Sequence, residues 1–113
     1  RLYWNAKQID GGTWDQLRVA YVEDAGAVGA LRLARDDSRR LFAAWEEVGA
    51  ATSRVRVVER APLADSWDAA VTLGNESGTE VAPDIAVDPT GKATAVWLLR
   101  IDAGTFVAIR QKR

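Results

Sequence analysis

The chain contains no cysteine, no histidine and no methionine, and only three prolines. Without cysteine there is no disulfide and no thiol nucleophile. Without Cys or His there is no zinc site of the usual thiolate or imidazole kind, and no His-based triad. Acid–base chemistry would fall to a carboxylate, Tyr or Lys, and no cofactor is expected. An excess of one charge is also missing: 15 Lys and Arg stand against 16 Asp and Glu, a net charge of -1. That balance gives no electrostatic footprint for nucleic acid or an anionic membrane surface. The apolar runs are too short to span a bilayer, so no membrane insertion is expected. The opening Arg1-Leu2-Tyr3-Trp4 reads as the inside of a strand, so the chain is expected to be a piece of a longer protein. What is present is a composition that folds, with 48% hydrophobic and 27% charged residues in 113, the size of one ordinary domain.

The residues that are present repeat. Thr13-Trp14-Asp15 and Ser66-Trp67-Asp68 lie 53 positions apart, and Ala43-Ala44-Trp45 and Ala95-Val96-Trp97 lie 52 apart. Between them Leu33-Ala34-Arg35-Asp36 matches Ile85-Ala86-Val87-Asp88, again at 52. The ordered set implies two copies of one unit with a short extra piece. Each copy reads as short apolar runs broken by turn residues, the pattern of small antiparallel sheets. In the second copy the runs are 69–73, 82–88, 93–99 and 105–110. In the first they are 17–22, 30–35, 41–48 and 53–59, with 2–7 as a leftover strand. Pro89-Thr90-Gly91 suits a tight turn, since Pro presets φ and Gly accepts a positive one. The Ala-rich stretch 38–51 has helix formers, but its aligned partner 90–103 carries Gly91, Thr94, Val96 and Ile101. Copies share a structure, so both are read as β.

Four short strands in a unit of this length are the make-up of a β-propeller blade, which needs neighbouring copies to bury its two faces. The residues Asp10-Gly11-Gly12-Thr13-Trp14, then Pro83-Asp84-Ile85-Ala86-Val87-Asp88-Pro89-Thr90-Gly91, then Ala95-Val96-Trp97 resemble the repeats of bacterial sialidase-like propellers of the BNR or Asp-box type. Gly11, Thr13 and Trp14 match that box, whereas Lys7 and Ile9 stand where it carries Ser and Asp. The resemblance implies an all-β partial propeller of four-stranded antiparallel blades. Residues 1–22 would be the last two strands of one blade, 29–74 a complete blade and 81–113 three strands of the next. The Trp14 and Trp67 segments would lie outermost. It also implies that the remaining blades of a longer chain, or identical copies, complete the ring.

For function, the resemblance and composition lead to a non-catalytic recognition or scaffold module that binds glycan or protein through loops 23–29, 47–52, 75–80 and 100–104. An extracellular or cell-surface location goes with it. The alternatives are a fragment of a sialidase-like glycoside hydrolase and a structural segment of a larger assembly. The periodic tryptophans are expected in the core between sheets. Trp4, which does not repeat, is the candidate ligand contact, because an indole face stacks on a sugar ring. Arg32 and Asp84 occupy the same position in the repeat and are the candidate structural ion pair near a central channel. No catalytic residue is assigned, since no Tyr, Glu or Arg falls in a recognisable motif. No metal site is assigned either: 23–24, 36–37 and 75–76 lack the alternating ligand spacing of a calcium loop and read as solvated turns.

Overall fold

The structure, a computed structural model, describes the backbone of residues 2–4 and 18–21 and all of 27–49, 52–64, 66–74 and 78–112. It is all-β, with no helix among the described residues. Among the described residues nine strands form three antiparallel sheets. β1 (Leu2–Trp4) pairs with β2 (Arg18–Tyr21). β3 (Ala27–Arg35), β4 (Leu41–Val48), β5 (Ser53–Arg60) and β6 (Val71–Thr72) make a four-stranded meander. β7 (Thr79–Val87), β8 (Ala93–Ile101) and β9 (Gly104–Gln111) make a three-stranded one. The Ala-rich stretch around Trp45 is strand β4, not helix, because its two faces are both taken up by packing against neighbours rather than by a helical stripe.

The two larger sheets keep step with each other. Arg32 pairs with Ala44 and Asp84 with Val96; Trp45 pairs with Arg56 and Trp97 with Ala108. Every one of these pairs is related to its counterpart by 52 positions. Both first strands carry a bulge at the matching place, between Gly29 and Arg32 and between Val81 and Asp84. Each bulge holds an alanine with positive φ, Ala30 at 44° and Ala82 at 52°, which re-aims the strand. Pro83 falls inside the second bulge, where its missing N–H costs no ladder bond.

The hairpin turns repeat as well. In 36–40 the Asp36 carboxylate accepts from the Ser38 hydroxyl (2.7 Å) and the Arg40 N–H (2.9 Å). In 88–92 Asp88 accepts from the Thr90 hydroxyl (2.6 Å), the Thr90 N–H (2.9 Å) and the Lys92 N–H (3.0 Å). A short carboxylate that ties down its own turn is the reason Asp stands at both places. The αL position is filled by Arg39 (φ 72°) in one turn and Gly91 (φ 88°) in the other.

The sheets stack face to face. β7 lies against β3, β4 and β5, and the core between the sheets forms two groups: Phe42, Ala44, Ile85 and Ala93, and then Val55, Ala95 and Trp97. The far side of the first sheet buries Ala43, Trp45 and Val58 under Trp67 and Ala70. The fourth, outermost strand expected over 69–73 is present but shorter: only Val71 and Thr72 join the ladder, against Val57 and Arg56. The Asp68 N–H instead bonds the Glu59 carbonyl (2.7 Å), and Trp67 lies across the sheet face as a cover.

Candidate functional site

Between the two sheets, on the side of β5 and β6, the core does not close. A cavity of about 430 Å³ remains there. Its floor is Phe42, Val57, Ile85, Ala93 and Ala95, and Ala69, Val71 and Leu73 form one wall. The opening carries charge of both signs, Glu59 and Asp68 with Arg110 and Lys112. A second hollow of about 400 Å³ continues past Phe42 toward Thr90, Gly91 and Lys92.

Glu59 organises the opening. It sits at the end of β5, on the register position opposite Phe42, and its two carboxylate oxygens go to different partners. Oε1 accepts from the Arg40 guanidinium at 2.5 Å, and Oε2 accepts from the Lys112 ammonium. The same ammonium lies 5.8 Å from the centre of the Phe42 ring, within cation–π range. Burial raises the Glu59 pKa, but the hydrogen bonds from Lys112 and Arg40 outweigh it and hold the carboxyl below its usual range. Arg110 reaches across the cleft from β9 and donates to the Leu73 carbonyl at 2.5 Å. The two sheets are thus latched at the mouth by polar contacts over an apolar floor.

A second intersheet contact lies deeper. Glu80 on β7 is wholly buried, and its Oε1 accepts from the Val55 N–H at 3.2 Å. The Val55 carbonyl accepts from the Leu73 N–H at 3.0 Å, so Glu80 takes up the donor that β6 is too short to reach. Gly74 makes room for it: a Cβ at that position would lie 1.5 Å from Glu80 Oε2. That oxygen and the Trp97 indole N–H are buried without hydrogen-bond partners. Glu46 spans the sheets too, accepting from the Ala82 N–H at the β7 bulge (2.5 Å).

Arg32 and Asp84, singled out from sequence, do not line this cleft. Trp4 ends β1 and its side chain lies outside the described residues, as does Trp14. Arg32 and Asp84 occupy matching register positions and are both exposed; Arg32 donates to the Leu31 carbonyl (3.0 Å), and Asp84 accepts from the Ile85 N–H (2.8 Å). Trp45 and Trp97 are buried in the core. Of the loops expected from sequence, 27–29, 47–48, 79–80, 100–101 and Gly104 belong to strands, and 23–26, 50–51 and 75–77 lie outside the described residues. Glu59, Lys112 and Glu80 carried weaker sequence signals. In the 52-residue frame Glu80 stands where the other copy has Val28, a charge at an apolar position. Glu59 corresponds to Gln111, one strand end from each copy at the same mouth.

No set of three or more Asp or Glu residues that could hold a metal ion occurs among the described residues. No helix there is long and apolar enough to cross a membrane. No protein-family model, no curated protein and no solved structure matches this chain.

Proposed function

We propose that the chain is a non-catalytic recognition and scaffold segment, two tandem blades of propeller type, whose ligand is an extended protein segment held in the intersheet cleft. The observation that carries this reading is the cleft itself: an apolar floor between two sheets of matching register, rimmed by paired charges. Its chemistry suits a peptide better than a sugar. Stacking a pyranose needs an open aromatic face, and the aromatic in the floor, Phe42, is only 2% exposed. β9 pairs only with β8 among the described strands, so one rim offers a row of backbone groups to an incoming strand, while the floor offers pockets for alternate side chains. Glu59 with Lys112 and Arg110 supplies charge of both signs for orientation rather than for bond cleavage. The repeat at 52 positions and the sialidase-like resemblance of the sequence support the blade assignment.

Peptide and glycan arrays probed with the chain and with Val71→Lys test this. Val71 lines the cleft and is half exposed, so the lysine places a charge in the wall at small cost to the core. Peptide binding is expected to weaken about tenfold, roughly 1.4 kcal/mol. Glycan binding that Trp4→Ala abolishes would replace the protein ligand with a sugar, and turnover of a sialoside would remove the non-catalytic reading.

A further inference from the structure

We propose that the outer face of the β7–β8–β9 sheet is a docking surface for one further β-sheet of the same kind, seated through a row of small, small and tryptophan side chains such as Ala93, Ala95 and Trp97 form on β8. The inference rests on the scaffold half of the reading above.

The chain shows the seat already filled once. Phe42 and Ala44 on β4, with Val55 and Val57 on β5, share one face of the first sheet through the pairs Phe42–Glu59, Ala44–Val57 and Glu46–Val55. That face is covered by Ile85, Ala93, Ala95 and Trp97 of the second sheet. The second sheet repeats the register 52 positions on: Thr94 with Gln111, Val96 with Ile109, Leu98 with Val107. At these positions it presents Thr94, Val96, Val107 and Ile109 where the first sheet has Phe42, Ala44, Val55 and Val57. Val55 is 0% exposed, whereas Val107 and Ile109 are 68% and 64% exposed. Leu98 stands where the first sheet has Glu46, so the open face is aliphatic in the middle. An equivalent surface in an equivalent register, covered in one copy and bare in the next, continues an interface that the chain itself contains.

The occupant follows from which faces are taken. Within the chain a face of this type meets the opposite type of face, the one bearing the tryptophan row. The tryptophan face of the first sheet is not on offer to another molecule, because Trp45 is fully buried with Trp67, Ala70 and Val28 packed against its cluster. Among the described residues, a second copy of the chain offers no free tryptophan row, only its own bare face. The fitting partner is therefore an additional sheet with a free Ala-x-Ala-x-Trp row, entering in the direction the first two already follow.

The absence of native cysteine makes Ile109→Cys a clean probe. Its reaction rate with a thiol reagent is measured in the chain and in a chain extended directly after Lys112 by a copy of residues 61–112, which keeps the 52-residue spacing. The extension is expected to slow the reaction by about tenfold, equivalent to roughly 1.4 kcal/mol of cover. Trp97→Lys made only in the added copy is expected to restore the fast rate. An extended chain whose thiol reacts as fast as before overturns the proposal. Slowing in the unextended chain that grows with concentration overturns it too, because two bare faces then meet in a symmetric pair. As a second measurement, Val107→Lys with Ile109→Lys in the unextended chain is expected to leave the unfolding midpoint unchanged; a large drop would mean that the face is already covered. The probe reads the side of the sheet opposite the cleft, so failure here and failure of peptide binding are separate results.

Discussion

The β3–β6 sheet and the β7–β9 sheet share a register, a bulge and a turn, yet they are buried differently. β4 is enclosed on both faces over Phe42, Ala43, Ala44 and Trp45, whereas β8 alternates, with Ala93, Ala95, Trp97 and Leu99 buried and the residues between them half-buried. β5 is buried or half-buried throughout, and its counterpart β9 is exposed at all but Ala108. The same backbone plan therefore carries two energetic situations, set by neighbours rather than by strand type. Burial of apolar area is the main favourable term in folding, so substitutions at matching positions should have unequal effects.

The largest effect is expected where the sheets differ most in chemistry, at Glu80 against Val28. Gly74→Ala would drive a methyl group into the Glu80 carboxylate and force it from its seat on the Val55 N–H. A buried polar group deprived of its hydrogen-bond partner costs up to about 3 kcal/mol, read as a lower denaturation midpoint. If Gly74→Ala were neutral, Glu80 would not be the tie between the sheets. Next comes a matched pair on the faces just compared. Val55→Thr keeps shape and strand propensity but buries a hydroxyl with no evident partner, at about 2 kcal/mol. Val107→Thr, 52 positions later and open to solvent, should change stability by less than about 0.5 kcal/mol. Equal losses would mean that the two faces are covered alike.

A smaller difference separates the turns. Gly91→Ala imposes a left-handed backbone on a residue with a Cβ, for about 1 kcal/mol. Arg39→Gly at the equivalent position removes that strain and should stabilise by a few tenths, since added freedom of the unfolded chain offsets part of the gain. The smallest effects come from pH. Asp36 and Asp88 are held below the usual carboxylate range chiefly by the hydroxyls of Ser38 and Thr90, and Glu59 is held there by Lys112 and Arg40 against its burial. A depressed folded-state pKa stabilises above the unfolded value and loses that contribution as pH falls through the folded one. Stability should therefore decline below about pH 4.5, near the ordinary carboxyl value. Glu59→Gln should flatten the part of that decline that comes from the mouth of the cleft.

Much of the fold was legible because its signals are local. Apolar runs of strand length ending at Asp36-Asp37, Pro89-Thr90-Gly91 and Asp102-Ala103-Gly104 mark where strands must stop. The match of 38–51 to 90–103 decided strand over helix at Trp45, where propensity alone pointed the other way. The run 69–73 marked the edge strand but overran it, because Ala70 and Leu73 on either side of Val71–Thr72 pack against the core clusters without pairing in the ladder, and such contact leaves no period. The cleft was not legible at all. Glu59 and Lys112 are 53 positions apart, and Arg110 and Leu73 are 37 apart; only the stacking of two sheets brings them to one opening.

Composition and spacing thus determined the element type, the turn positions and the 52-residue correspondence, because each depends on neighbours along the chain. Tertiary structure alone decided which of two equivalent faces is covered, where the core fails to close, and that Glu80 rather than a strand completes β5. Those outcomes depend on which surfaces meet in space, and identical local patterns leave that choice open.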